Sequence, residues 1–419
     1  MMALSVTGHL HPSGTMEGIG ATARSPSLGR RAESFNGLSH SHSSLVLVGL
    51  WLSASRRRQL RATDEGRAEL EVEYGRRETG EVVMSGPLQS SGQWEVRRHR
   101  ASEGERPPDA ASGTYQEWRV LRFLPAAGYA QPSLQSVAKV MVLPTEGGQG
   151  KVRMRDDVLA LPYTRSLAAS VLVGLRWKSL ARGATQPGKV LVLGLGCGSV
   201  PAFLRNHLPD IEIDVVEVDE SVSRAAQDAM GFASSDQLRL FLDEGGAFAQ
   251  KQALQGTTYD CIVVDAFDGS GRVPASLCEP AEAFAVAVRS GLLSDGEGAV
   301  IFNLVPGSCS SSLAVFDGIA EPELAGGKRR SSFELSVAAE LDADPFARMF
   351  EFLSTGEVAL DKEGGNTIEV HLLQNRRDTV ADERQLLRQW KEAAQRVNEE
   401  LTCSFDIAEL ALRGFDWKK

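Results

Sequence analysis

Four groups of residues in this 419-residue chain have the types and spacing to hold a ligand. The first is Gly194-Leu-Gly-Cys-Gly198, in which Gly194, Gly196 and Gly198 alternate with Leu195 and Cys197 directly after the apolar run Val190–Leu193. The second is Glu217, with Val218 beside it, 23 positions after Gly194 and near the end of another apolar run. The third is Asp243-Glu244-Gly245, and the fourth is Asp265 with Asp268; each again closes an apolar segment. Glycines let a backbone approach a ligand, a helix starting at Ser199 offers N–H groups to an anion, and a carboxylate accepts two ribose hydroxyls. In that order, the groups are what an adenosine-containing cofactor requires.

The glycine spacing narrows the cofactor. Dinucleotide sites favour G-x-G-x-x-G, whose third glycine lets helix and strand close around a pyrophosphate. Here the pattern is G-x-G-x-G, and Ser199 stands where that third glycine would be. The shorter turn suits a compact carboxylate and amine, as in the methionine part of S-adenosylmethionine. Glu217 then takes the ribose, Asp243 or Glu244 the adenine amino group, and Asp265 stands where sulfonium and acceptor would meet. Any one of these acids is as well explained as a strand-end cap or a solvated turn residue. Methyl transfer to an amine needs mainly in-line placement and a deprotonated nitrogen, and Asp265 can orient an ammonium and take its proton through water. No Ser–His–Asp or Cys–His arrangement is visible, and no cysteine spacing suggests a metal.

Such acids work together only if one sheet edge gathers them. From Lys189 onward, apolar runs alternate with helix-compatible stretches, which predicts a Rossmann-like, doubly wound α/β sheet. Strands are expected at Val190–Leu193, Ile211–Val218, Leu238–Leu242, Tyr259–Val264 and Ala299–Asn303. Helices are expected at Asp157–Leu180, Glu220–Met230, Glu282–Leu292, Asp344–Leu353 and Asp382–Leu401. Glu357–Leu360 and Thr367–Leu373 would close the sheet as an antiparallel hairpin, making it mostly parallel with an antiparallel C-terminal hairpin. Ahead of it, residues 65–150 read as a small β-rich lead-in domain, with strands at Leu70–Tyr74, Glu81–Met84, Trp118–Phe123 and Val137–Val142. Residues 151–405 form the main domain, 307–340 a Ser- and Gly-rich insertion within it, and 406–419 a tail.

Net charge of −10 and a pI near 5.4 argue against a general nucleic-acid or anionic-membrane surface. The first 60 residues hold six Arg, eleven Ser, two Glu and no Lys. That composition reads as an organelle address over residues 1–62, plastid first, with mitochondrion or a cytoplasmic tail as alternatives. The run Leu45–Leu52 is too short to span a bilayer. The five cysteines are expected to be reduced, and His207 and His371 to be structural. Oligomeric state is left open by the sequence.

These motifs resemble the class I S-adenosylmethionine-dependent methyltransferase superfamily, and within it the spermidine synthase-like branch. Val215-Val-Glu-Val-Asp219 and Tyr259-Asp-Cys-Ile-Val-Val-Asp265-Ala-Phe-Asp268 resemble that branch's ribose and strand-four motifs. Gly194–Pro201, Met230-Gly-Phe232, Asn303-Leu-Val305, Asn366–Val370, Leu121-Arg-Phe123 and Gln135-Ser136 resemble the C-terminal domain of the methyltransferase-like protein 13 family, which methylates elongation factor 1-alpha. The resemblance covers roughly residues 115–405. It implies S-adenosylmethionine as cofactor, an amine acceptor on a protein, and Asp265 and Asp268 as catalytic acids. Gly194, Gly196, Cys197, Gly198, Glu217, Val218, Asp243, Glu244, Gly245 and Asp265 would bind the cofactor. Polyamine aminopropyl transfer is the alternative, but spermidine synthases carry Asp where Cys197 stands, and Tyr163-Thr-Arg165 lacks that family's acid. A catalytically silent scaffold is the third reading, since a fold does not fix an activity.

Overall fold

The computed structural model describes residues 80–100, 113–124, 134–145, 150–182, 188–268, 271–305, 315, 328–336, 366–375, 383–412 and 416–417. The address expected over 1–62, the strand at Leu70–Tyr74, the helix at Asp344–Leu353 and the strand at Glu357–Leu360 lie outside the described residues.

Five strands come first: β1 (Glu81–Pro87), β2 (Gln93–Arg100), β3 (Tyr115–Leu124), β4 (Leu134–Leu143) and β5 (Lys151–Met154). They pair antiparallel in sequence order. Two of them, β2 and β5, were not expected. The Trp94 and Val96 alternation of β2 is interrupted by Glu and Arg, and β5 is only four residues long.

The second sheet holds β6 (Lys189–Leu193), β7 (Glu212–Glu217), β8 (Leu238–Leu242), β9 (Cys261–Val264), β10 (Gly298–Leu304), β11 (Lys328–Ser336), β12 (Thr367–Asn375) and β13 (Asp416–Trp417). Its order is β13-β11-β12-β10-β9-β6-β7-β8. The pairs from β10 to β8 are parallel, and those from β13 to β10 are antiparallel. The antiparallel part is larger than a hairpin. Strand β11 lies inside the stretch read as an insertion, and β13 inside the stretch read as a tail. Their polar sequences, Lys-Arg-Arg-Ser-Ser-Phe-Glu-Leu-Ser and Asp-Trp, carry no apolar run to announce a strand.

Both faces of the parallel core are covered, which is why its strands are continuous apolar runs. Val190, Val192, Ile213, Val215, Cys261 and Val263 pack into one cluster. There they meet α1 (Pro162–Arg182), α2 (Ser199–His207), α3 (Glu220–Asp228), α7 (Glu383–Glu400) and α8 (Ile407–Leu412). Leu191, Leu193, Val216, Ile262 and Val264 point the other way, the period-2 consequence of the pleat. They pack with α4 (Gly245–Leu254), α5 (Ala275–Cys278) and α6 (Ala283–Ser290). Pro162 opens α1, where a missing N–H costs nothing.

The five-stranded sheet docks on the first face. Trp94, Leu121, Ala138, Val140 and Met154 join its cluster. Polar ties fix the docking: Trp94 Nε1 donates to Ser221 Oγ at 2.8 Å, and Met154 N to the Gly231 carbonyl at 3.1 Å. Arg119, ion-paired with the fully buried Glu117, donates to the Ala229 carbonyl. This docking carries β4 to the glycine turn.

Candidate functional site

Glu217, Asp243, Glu244 and Asp265 stand at the C-terminal edge of the parallel strands, where open α/β sheets bind ligands. The turn after β6 sets the shape of that edge. Gly194 has φ +101°, and a Cβ there would fall on the Asp265 carbonyl well inside contact distance. Gly198, at φ +82°, serves as N-cap of α2 and has the Phe232 ring against its open side. No side chain caps α2. Its first N–H groups therefore face the edge without the carboxylate that caps the neighbouring helices.

Glu217 ends β7 and is only 8% exposed. Its Oε2 accepts the Leu195 N–H at 3.2 Å and its Oε1 the Asp219 N–H at 2.9 Å. Burial pushes its carboxyl above the usual range, and these N–H bonds work against the rise. A carboxylate has four acceptor positions, so two N–H bonds leave room for two hydroxyls. Asp219 does separate work as N-cap of α3, accepting from Ser221 N at 2.9 Å and from Gln89 N at 2.7 Å.

The structure separates Asp243 from Glu244. Glu244 is the N-cap of α4, accepting Gly246 N at 3.1 Å, Ala247 N at 2.7 Å and Ser276 Oγ at 2.6 Å. Burial acts to raise its carboxyl, but the Ser276 hydroxyl and the two N–H groups outweigh it and the net shift is downward. Asp243 uses Oδ1 on the Glu244 N–H at 2.8 Å. Beside these acids, Val218, just past the end of β7, is 61% exposed, and Leu242, the end of β8 and paired with Glu217, is 54% exposed. Two solvent-facing apolar side chains between a ribose-type acid and a free carboxylate oxygen suit a flat heterocycle. Gly245 follows Glu244 into α4 with the Leu277 side chain close by.

Across the glycine turn, Cys197 is fully buried. Ser136, from β4, donates to Cys197 Sγ at 2.9 Å and accepts the Cys197 N–H at 3.1 Å. Burial pushes the thiol pKa up, so Cys197 is neutral at pH 7. Tyr163, in the first turn of α1, reaches the Gln135 carbonyl at 3.4 Å. Its phenol is raised by burial and then by the Asp265 charge, so the two share one region. Arg165 folds back onto the carbonyls of Leu159 and Ala160 at 2.9 and 3.1 Å.

Asp265 directly follows β9 and is half-buried. Asn303 Nδ2 donates to its Oδ1 at 2.7 Å, and Asn366 Nδ2 donates to Asn303 Oδ1 at 2.8 Å. Burial raises the Asp265 carboxyl, and the Asn303 amide opposes that rise. Asp268 goes elsewhere. It is exposed, and its Oδ1 takes the Arg272 N–H at 3.1 Å in a turn closed by Asp268 N to the Arg272 carbonyl at 2.8 Å. Ser136, Tyr163, Asn303 and Asn366 were not among the expected site residues. Their sequence signals were the resemblance at Gln135-Ser136, Asn303 and Asn366, which named no role, and the Tyr163-Thr-Arg165 run weighed for a polyamine site.

The other polar candidates are structural. His207 Nδ1 lies 3.0 Å from the Phe203 carbonyl, and His371 is fully buried in β12 against Phe302 and Glu369. Cys197, Cys261, Cys278 and Cys403 are free thiols.

No family model matches the chain. Among curated proteins it is 31% identical over 115 residues to a polyamine aminopropyltransferase of Vibrio vulnificus, covering 27% of this chain and 35% of that protein. It is 34% identical over 125 residues to the human eEF1A lysine and N-terminal methyltransferase, covering 28% of this chain and 18% of that protein. The chain thus spans about a third or less of the length of these relatives. A solved structure of human methyltransferase-like protein 13 with SAH aligns over 58% of this chain and 95% of that one, at 24% identity and a TM-score of 0.38. The chain is similar to methyltransferases and to aminopropyltransferases alike, and so to the spermidine synthase-like branch of the class I S-adenosylmethionine-dependent methyltransferase superfamily.

Proposed function

We propose that this protein is an S-adenosylmethionine-dependent methyltransferase acting on an amine, with a protein as the acceptor. One observation carries the choice of donor. At the turn position where an aminopropyl donor's ammonium needs a carboxylate, the chain has a buried, neutral thiol held by Ser136. An uncapped helix N-terminus lies beside it, suited to the carboxylate that S-adenosylmethionine has and its decarboxylated form lacks.

The residues divide the work. Glu217 keeps two acceptor positions for the ribose hydroxyls, and Asp243 has an oxygen for the adenine amino group, with Val218 and Leu242 flanking the ring. Glu244, occupied by its helix and by Ser276, shapes the pocket wall without touching the nucleoside. When bound, the cofactor would supply an electrophilic methyl group on its sulfonium, with sulfur as the leaving group. Asp265 orients the acceptor ammonium and receives the proton that frees the nitrogen lone pair. The likeness to a human methyltransferase of lysine and N-terminal amines supports a protein acceptor.

Aminopropyl transfer is the second reading, favoured by the likeness to a polyamine aminopropyltransferase and by an Asp265 suited to any amine. Calorimetry separates the two. The wild type should bind S-adenosylmethionine and SAH, and Glu217→Ala should weaken both by about a hundredfold, the scale of two hydrogen bonds to a charged group. Tighter binding of the decarboxylated donor, with turnover of putrescine, would establish the second reading. Binding of no nucleoside at all would leave a silent scaffold.

A further inference from the structure

The Asp265 carboxylate is held in an unusual way for an acid at this depth. No Arg or Lys pairs with it among the described residues. Asn303, 1% exposed on β10, donates to Oδ1, and Asn366, just ahead of the antiparallel β12, donates to Asn303. The direction of this chain follows from its end. An ionised carboxylate only accepts, so Asn303 must present its NH2 to Asp265 and its oxygen to Asn366. Asn303 is paired through backbone register with Ile368, which brings Asn366 to the same sheet edge. Oδ2 of Asp265 accepts no hydrogen bond among the described residues.

An amide and a cation would do different things here. A guanidinium would fix the carboxylate and also neutralise it, leaving nothing to attract an ammonium. Two amides fix it and leave the charge. We infer that Asn303 and Asn366 are positioning residues of the proposed methyl transfer, holding Asp265 by Oδ1 so that Oδ2 binds the acceptor ammonium and takes its proton. In that step an N–H bond breaks, the proton passes to Oδ2, and the electron pair stays on nitrogen for the methyl carbon. The antiparallel extension of the sheet thereby supplies the outermost support of the acceptor site. Described ionisable groups facing Asp265 are Tyr163 on α1 and, behind it, Cys197 in the glycine turn. Both are neutral at pH 7, and β10 and β12 contribute amides only.

The inference rests on the cofactor reading above, and its test keeps the two apart. The probes are SAH and sinefungin, an analogue with a primary ammonium where the transferable methyl would stand. Wild type should bind sinefungin more tightly than SAH at pH 7.5 and lose that preference on acidification as Asp265 takes a proton. Asn303→Ala should cut the sinefungin-to-SAH affinity ratio by about tenfold, the scale of one charge-assisted hydrogen bond. It should also move the loss of preference to higher pH, because the donor that opposes the effect of burial is gone. Asn366→Ala, at a half-buried position, should do the same to a smaller degree and guards against a misfolded Asn303 variant. Wild type that binds neither probe overturns the cofactor reading and the inference with it. Wild type that prefers sinefungin, with both variants keeping the same ratio and pH profile, overturns the inference alone. Equal affinity of wild type for the two probes also overturns it.

Discussion

The two halves of this sheet edge hold their acids by different means. At the ends of β7 and β8, Glu217 and Glu244 are gripped by backbone N–H groups of nearby turns and helix starts. At the ends of β9 and β10, Asp265 is gripped by the Asn303 side-chain amide, which Asn366 holds in turn. Backbone donors come with the fold, and every strand-to-helix turn in an open α/β sheet presents some of them. Amide donors come from particular residues on strands that arrive much later in the chain. The first kind of site is general to the architecture and suits a common cofactor. The second depends on which side chains stand at two positions, and can differ between proteins that share the architecture.

The difference extends to pH. Glu244 has a carboxyl held below its usual range, so its bonds favour the fold at all pH values above the unfolded carboxyl pKa, about 4.3. That contribution is lost as pH falls through the lower, folded value. Asp265 has a raised carboxyl, so the fold favours its protonated form, and that preference is lost as pH rises through the folded value. Of the backbone-held acids it is Glu244, not the buried and raised Glu217, that favours the fold near neutrality. Asp265, like Glu217, holds a charge whose burial costs stability.

The largest effect should come from joining the halves. Gly194→Ala places a Cβ on the Asp265 carbonyl and demands a positive φ from alanine. Strain of this kind costs roughly 1–3 kcal/mol, and the collision adds to it. The variant should unfold several degrees earlier and lose sinefungin and SAH binding together. A variant that lost one probe and kept the other would show that the halves are mechanically separate.

How much of this was legible in the sequence follows the same divide. The glycine turn, Glu217 and Asp243 announced themselves, because contiguous apolar strands end at them and their partners lie in adjacent turns. The parallel core was legible for the same reason. Missed elements lacked that continuity. Helix α4 begins with Gly245-Gly246, poor helix formers, and depends on the Glu244 cap. Strand β11 is mostly polar and is defined by its partners β12 and β13. For Asn303 and Asn366 a motif resemblance gave no role, since their contact exists only once β12 pairs with β10. Asp268 stands apart from the other expected acids. Three residues after Asp265 it looked like a partner, but it closes an exposed turn with Arg272.

A smaller effect isolates the backbone-held half. Glu244→Ala removes the cap of α4 and frees Ser276. Loss of a helix cap costs about 1–2 kcal/mol, and denaturant titration at pH 7 should read that difference from wild type. The difference should shrink as the pH falls from the unfolded carboxyl pKa, about 4.3, through the lower folded value, as wild-type Glu244 takes a proton. The sinefungin-to-SAH ratio should stay at its wild-type value, since the amide-held half is untouched. A change in that ratio would mean that the cap of α4 also orders the acceptor side.

The smallest effect concerns a tie between β4 and the glycine turn. Ser136 reaches Cys197 from β4, accepting the Cys197 N–H and donating to its sulfur. Ser136→Ala strands a buried N–H, at a cost of about 1 kcal/mol. It also removes the bond that opposes burial at the thiol, so Cys197 becomes still harder to ionise. If the thiol's neutrality is what admits a donor with its own carboxylate, S-adenosylmethionine binding should fall only a few-fold, within the stability loss. Ser136→Asp places a carboxylate next to Cys197 and should act in the other direction, weakening S-adenosylmethionine and favouring the decarboxylated donor. Calorimetry with both donors on the two variants reads this directly. An unchanged donor preference in Ser136→Asp would mean that the turn's backbone, and not the charge beside Cys197, selects the nucleoside.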